Sequence, residues 1–171
     1  NGLLLTSGSV IAIFKKGHMY IPDNYRPMSL LSCFNKIFEK LLHYRLISFI
    51  EKHNILFINQ FAFRKLYSTT FALIEITDTI KRLVDNGNYV MGIYLDLAKA
   101  FDTVNHEILL YKLSRYGIRG HANNFFRSYL NNRKQFTSIN GAKSNLLTVN
   151  CGVPQGSVLG PLFLIKWDRR P

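Results

Sequence analysis

Apolar positions recur along the chain with helical spacing in four places, and between them lie apolar runs too short for helices. Ser32 is placed to cap a helix whose stripe is Phe34, Phe38, Leu41, Leu42, Leu46 and Phe49, with Lys36, Glu39, Lys40 and Arg45 on the other face. Ser68 is placed to cap a second helix with Leu73, Ile76, Ile80 and Leu83 inward. Lys81 and Arg82 complement its dipole, and Asn86-Gly87 stops it. The run YVMGIYLDL, residues 89–97, is apolar on both faces, which predicts a strand buried in the middle of a sheet. Asp102 or Thr103 can cap a third helix carrying Ile108, Leu109, Leu113 and Tyr116, ended by Gly117. A fourth, shorter helix holds Phe125, Phe126, Tyr129 and Leu130. The prolines and the Asp-Asn pair of PDNYRPMSL, residues 22–30, predict an ordered loop, and QFTSINGAKSNLLTVN predicts a hairpin around Asn140-Gly141. CGVPQGSVLGPLFLI, residues 151–165, turns sharply before an apolar segment. The order predicts an α+β chain.

At 171 residues there is room for one sizeable core. Charge changes the picture more than size does. Twenty-two Lys and Arg face ten Asp and Glu, a formal net of +12, which points to a polyanionic partner: nucleic acid first, an anionic membrane surface second. No segment is long enough to span a bilayer, and the opening NGLLLTSGSVIAIFKKG lacks the pattern of a signal peptide. Two cysteines, Cys33 and Cys151, imply no disulfide framework and suit a reducing compartment. The five histidines show no metal-ligand spacing.

The candidate chemistry sits in YLDLAKAFDTVNH, residues 94–106. An aspartate ending a buried strand needs a partner, because an unpaired buried carboxylate is costly. Two readings of Asp96 stay open: a ligand for a hard cation such as Mg²⁺, or a salt bridge to one of the many basic side chains. Asp102, six residues on, points elsewhere if the chain turns helical, and it reads better as a helix cap than as a second ligand of the same ion.

Five segments, DNYRPMSLL, QFAFRKLYST, YLDLAKAFDTVNHEILLYKLSRYGI, FFRSYLNNRKQ and GVPQGSVLGPLFLI, occur in this order. Together they resemble the reverse transcriptase domain of non-LTR retrotransposons of the jockey-like or LINE-like kind, from about Val10 to about Ile165. The resemblance implies a right-hand polymerase, fingers and partial palm, that copies an RNA template from a DNA primer with deoxynucleoside triphosphates. It implies two Mg²⁺ ions in the complete enzyme, one on the primer 3′-hydroxyl and one on the leaving pyrophosphate. Asp96 matches the first metal-binding, catalytic aspartate, with the backbone carbonyl of Leu97 as companion ligand. Phe101 matches the aromatic beneath the incoming sugar, where a flat ring excludes a 2′-hydroxyl; it equally suits an ordinary core aromatic. Arg64 matches the residue that clamps the triphosphate, a task suited to a bidentate guanidinium. Gln155 and Gly156 match the loop that positions nucleotide and template, and Arg26 matches a fingers position with no assigned contact. The other basic residues would grip template and primer phosphates.

The chain departs from the family pattern at Ala62, where glycine is usual, at Tyr67, where a basic residue or histidine is common, and at Asn105, where aspartate is frequent. It also holds no Asp-Asp pair anywhere in its 171 residues. The expected aromatic-Ala-Asp-Asp hairpin and thumb are therefore missing, and residues 166–171, including Asp168, read as an off-family tail. These features imply that the chain by itself lacks polymerase activity. The competing reading is a non-catalytic nucleic-acid-binding remnant of a retroelement, ahead of a helical partner-binding protein. An intracellular site of action, and the nucleus in particular, is an expectation from the family alone.

Overall fold

The computed structural model describes residues 7–131, 133–139 and 141–164. The tail 166–171 and Asn140 lie outside them.

Strand β1 (Ser7–Phe14) pairs antiparallel with β2 (Tyr25–Leu30) and parallel with β3 (Arg133–Ile139). Strands β4 (Ala142–Lys143) and β5 (Leu147–Val149) both pair antiparallel with β3, giving a mixed five-stranded sheet of order β2-β1-β3-β4. The hairpin expected around Asn140-Gly141 is present, with Ile139 opposite Ala142 and Gly141 at φ +85°. Residues 25–30, expected as loop, form a strand. β2 lies at the sheet edge, where Pro27 withholds no hydrogen bond that a second neighbour would need.

Helix α1 (Cys33–Lys52) begins at Ser32, whose Oγ accepts from the Asn35 amide at 3.2 Å. Its buried face is the expected one only in its second half, where Leu42, Leu46 and Phe49 meet the core. Asn35, Glu39, Leu46 and Ile50 are buried, while Phe34 and Leu41 are 77% and 61% exposed. Helix α2 (Thr69–Asp85) has the expected Ser68 cap and Asn86-Gly87 stop, yet buries no residue. Its stripe of Leu73, Ile76 and Ile80 faces solvent.

The strand expected over residues 89–97 is absent. The segment has no strand pairing and every residue in it is exposed. A strand exists only through a neighbour's hydrogen bonds, and among the described residues none pairs with this run.

Helix α3 (His106–Arg115) is capped by Asn105, whose side chain accepts from the Ile108 amide at 3.0 Å. Asp102 and Thr103 are therefore not the cap: the backbone runs extended through Asn105, three residues later, and the helix starts there. Ile108 is exposed and Leu110 takes its place inside. Helix α4 (Gly120–Leu130) buries Phe126, Tyr129 and Leu130 as expected, and α5 (Gly160–Leu164) buries Leu162 and Phe163. The core joins α1, α3, α4 and α5, with Ile50, Leu113, Leu130 and Leu159 fully buried.

Candidate functional site

The loop between β5 and α5, residues 150–159, is fastened at its start by backbone. Gly152 donates to the Val104 carbonyl and Val153 to that of Phe101, both at 2.7 Å. His106, buried at the start of α3, donates from Nε2 to the Gly152 carbonyl at 2.8 Å. Gly152 sits at φ +83°, and a Cβ there would lie 2.9 Å from the backbone of Phe101 and Asp102. Only glycine allows the two segments to approach so closely.

Further on, the Gln155 carbonyl accepts from the Ser29 amide of β2 at 2.8 Å. Gly156 turns at φ +103°, with a hypothetical Cβ 3.3 Å from Met28 Cε and the Ser29 oxygen. Ser157 then donates to the Pro154 carbonyl and accepts from the Gly160 amide, closing the turn and starting α5. Val158 donates to Glu39 Oε2 at 2.7 Å.

Two adjoining cavities open beside this loop. One, of about 550 Å³, is lined by Ser29, Asp102, Arg133, Gln135 and Gln155. The other, of about 400 Å³, shares Asp102 and Gln155 and adds Lys15, Arg26 and Lys99. Asp23 also faces it and pairs with Lys99 at 3.1 Å, an exposed contact. Four cations and two carboxylates line the pair of cavities, so the environment favours an anion.

The expected site residues fall in three places. Gln155 and Arg26 line the second cavity, and Gly156 makes the turn beside it. Phe101 is half-buried against the core and tied to Val153 through its carbonyl, so its ring packs as a core aromatic at the base of the same loop. Arg64 stands apart, in a cavity of about 660 Å³ with Glu51, Lys65 and Tyr67. Its guanidinium lies 4.3 Å from the Tyr67 ring centroid, and its Nη1 is buried without a hydrogen-bond partner. Phe63 and Leu66, on either side, hold positive φ angles of 58° and 65°, a conformation uncommon outside glycine. Asp96 and Leu97 are exposed and line neither of the cavities beside Gln155.

A family model described as "Reverse transcriptase (RNA-dependent DNA polymerase)" matches residues 13–166. The chain belongs to the reverse transcriptase family. It is 36% identical over 156 residues to the "RNA-directed DNA polymerase from mobile element jockey" of Drosophila melanogaster, covering 91% of this chain and 17% of that protein. It is 35% identical over 148 residues to the "Probable RNA-directed DNA polymerase from transposon BS" of the same organism, covering 83% and 16%. A type-1 retrotransposable element R2 polyprotein of Popillia japonica is 25% identical over 87% of the chain. The chain thus spans about a sixth of the jockey and BS relatives' length.

Reverse transcriptases generally depend on a divalent metal, so the donor set bears directly on the site. Among the described residues no group of three His, Cys, Asp or Glu side chains lies close enough to hold a metal ion. The described donors do not fit a two-ion centre. No described helix is long and apolar enough to cross a membrane.

Three participants escaped the sequence. Asp102 was expected to cap α3 and instead lines both cavities beside the loop. Arg133, which opens β3, is 7% exposed and lies over the Tyr129 ring, with 5.8 Å from its guanidinium carbon to the centroid. Glu39, placed by its charge on a solvent face, is 1% exposed and accepts from Tyr129 Oη at 2.6 Å as well as from Val158. A signal for Glu39 existed: Asn35, Glu39, Leu42, Leu46 and Ile50 share one helical face.

Proposed function

We propose that this chain handles nucleotide and template in the RNA-directed DNA polymerase of a mobile element of the non-LTR kind. RNA template, DNA primer and deoxynucleoside triphosphates are its partners. The observation that carries the reading is the Gln155-Gly156 turn, pinned to β2 beside cavities lined by Lys15, Arg26, Lys99 and Arg133. A flexible glycine turn with an amide side chain next to cationic walls suits a polyphosphate-bearing ligand.

The architecture is that of fingers and partial palm. Arg64 meets the triphosphate, a role supported by its unpartnered Nη1 and its stacking on Tyr67. Phe101 lies beneath the incoming sugar, and Gln155 with Gly156 orients nucleotide and template. Asp96 and the Leu97 carbonyl would be oxygen donors to Mg²⁺; the further carboxylates that a two-ion centre needs are not grouped with them among the described residues. The site of action is intracellular and nuclear.

A non-catalytic nucleic-acid-binding remnant is the second reading, favoured by the lack of a three-donor metal cluster among the described residues. Fluorescence anisotropy with a labelled DNA primer on an RNA template separates the two. Under the polymerase reading, affinity falls steeply with salt, a complementary nucleotide tightens the complex, and Arg64→Ala removes that tightening. Salt-dependent binding with no response to any nucleotide leaves the remnant reading, and no binding at all sinks both. Primer extension by the 171-residue chain alone is expected to be nil; extension abolished by Asp96→Ala would overturn that expectation.

A further inference from the structure

A fully buried carboxylate is an expensive way to fill a core, because hydrocarbon of the same volume is often as stabilising. Glu39 nevertheless sits at 1% exposure inside α1. Its two oxygens serve two different parts of the chain: Oε1 accepts from Tyr129 Oη in α4 at 2.6 Å, and Oε2 accepts from the Val158 amide at 2.7 Å. Arg133, 7% exposed beside the Tyr129 ring, lies within electrostatic reach of this carboxylate. Hydrocarbon could fill this space, but it could not hold the Val158 amide in one direction.

We infer that Glu39 is a positioning residue for the turn bearing Gln155 and Gly156. Ser29 holds that turn on one side through the Gln155 carbonyl, and Glu39 holds it on the other through the Val158 amide. Between these two anchors, Gly156 gives the backbone its conformational freedom, with φ at +103°. Removing the second anchor leaves the part-buried Val158 N–H unpaired and frees the turn to shift, so Gln155 leaves its pose. Of the cavity cations only Arg133 neighbours this anchor; Lys15 just after β1, Arg26 on β2 and Lys99 in the 98–102 turn make no contact with it, so their grip on nucleic acid persists. The inference rests on the reading of Gln155-Gly156 as the nucleotide-orienting turn, and it names what sets that turn's geometry.

Holding the Val158 amide calls for an acceptor in the right direction rather than for a charge, which distinguishes two substitutions. In Glu39→Gln the side-chain oxygen can accept from Val158 while its NH₂ donates to a rotated Tyr129 hydroxyl, so both anchors survive. Glu39→Leu keeps the volume and loses both.

The test measures affinity for a complementary deoxynucleoside triphosphate on the 171-residue chain loaded with RNA template and DNA primer, together with amide hydrogen exchange. Glu39→Leu should weaken nucleotide affinity about tenfold, the cost of one unpaired interior N–H. Exchange at Val158 should quicken while the Leu113 amide in α3 and the primer–template affinity stay unchanged. Glu39→Gln should return nucleotide affinity to within about twofold of the wild type. Should Glu39→Leu fail to fold, Glu39→Asp, one methylene too short to span both donors, applies the same test. Unchanged nucleotide affinity in the Leu or Asp variant overturns the inference, as does a Gln variant as weak as the Leu one. A wild-type chain that binds primer–template but no nucleotide overturns the functional reading and this inference with it. Nucleotide binding that survives the loss of Glu39 overturns this inference alone.

Discussion

Tyr129 concentrates the chemistry of the core in one hydroxyl. Burial first, and the neighbouring Glu39 carboxylate second, push its ionisation far above the ordinary tyrosine range. Arg133 is held below its usual value, chiefly by the same burial, although Tyr129 and Glu39 oppose the shift. The sign for stability follows from the tyrosine. Its folded-state value lies above the unfolded one of 10.0, so its contribution is complete below pH 10 and drains away as pH rises beyond it. Tyr129→Phe deletes a hydrogen bond to a charged acceptor and should cost about 2 kcal/mol near neutrality. The gap between the two proteins should close as pH climbs past 10. Arg133 is present in both, so urea denaturation of the pair across pH isolates the tyrosine; a gap constant with pH would refute the assignment. None of this was visible in the residue pattern, because a tyrosine and a glutamate ninety positions apart carry no local sign of meeting.

Among the elements, caps and stops were the most legible part of the chain. Ser32 and Ser68 cap as expected and Asn86-Gly87 and Gly117 terminate, because these signals act within one helical turn. Asp102 misled for an equally local reason. Aspartate is as good a cap as asparagine, and only the backbone after residue 102 decides that Asn105 does the work. Asn105→Ala should therefore cost about 1 kcal/mol of stability. Asp102→Ala should cost almost nothing and should instead alter ligand binding in the cavities it lines. Equal destabilisation by the two changes in thermal melts would show that the cap has been misplaced. The long apolar runs were less legible than the caps. A run such as 89–97 states that it wants cover on both faces, but a strand also needs a partner, and the partner is not encoded in the run itself. The turn at Gln155-Gly156 was found through the family motif, whereas the carboxylate that anchors it was hidden on a face that charge alone assigned to solvent.

At the scale of the whole molecule, sheet and helices bury one core and leave another apolar surface open. Met91, Ile93, Tyr94, Leu95 and Leu97 are exposed in succession, and α2 turns Leu73, Ile74 and Val84 outward as well. Contiguous apolar surface of this kind promotes self-association. Because Leu95 is 88% exposed, Leu95→Lys should leave the melting temperature unchanged while raising the concentration at which the chain begins to scatter light. A drop in melting temperature would mean that the segment is packed. The sheet, for its part, has a history written into its order. Its central pairing sets Ser7 beside Lys134 and Ile11 beside Ser138, parallel neighbours far apart in sequence. A ribosome delivers β1 and β2 ahead of the helices, and a two-stranded hairpin of that length is marginal in water by itself. It must wait, unsupported, through the synthesis of all four longer helices before β3 emerges to flank it. Closing so long a loop is entropically slow, and pairings between distant residues are the late events of folding. One side of β1 thus stays unpaired from its own emergence until residue 133 leaves the ribosome, and that interval is when the segment is most exposed to joining a neighbour instead of itself.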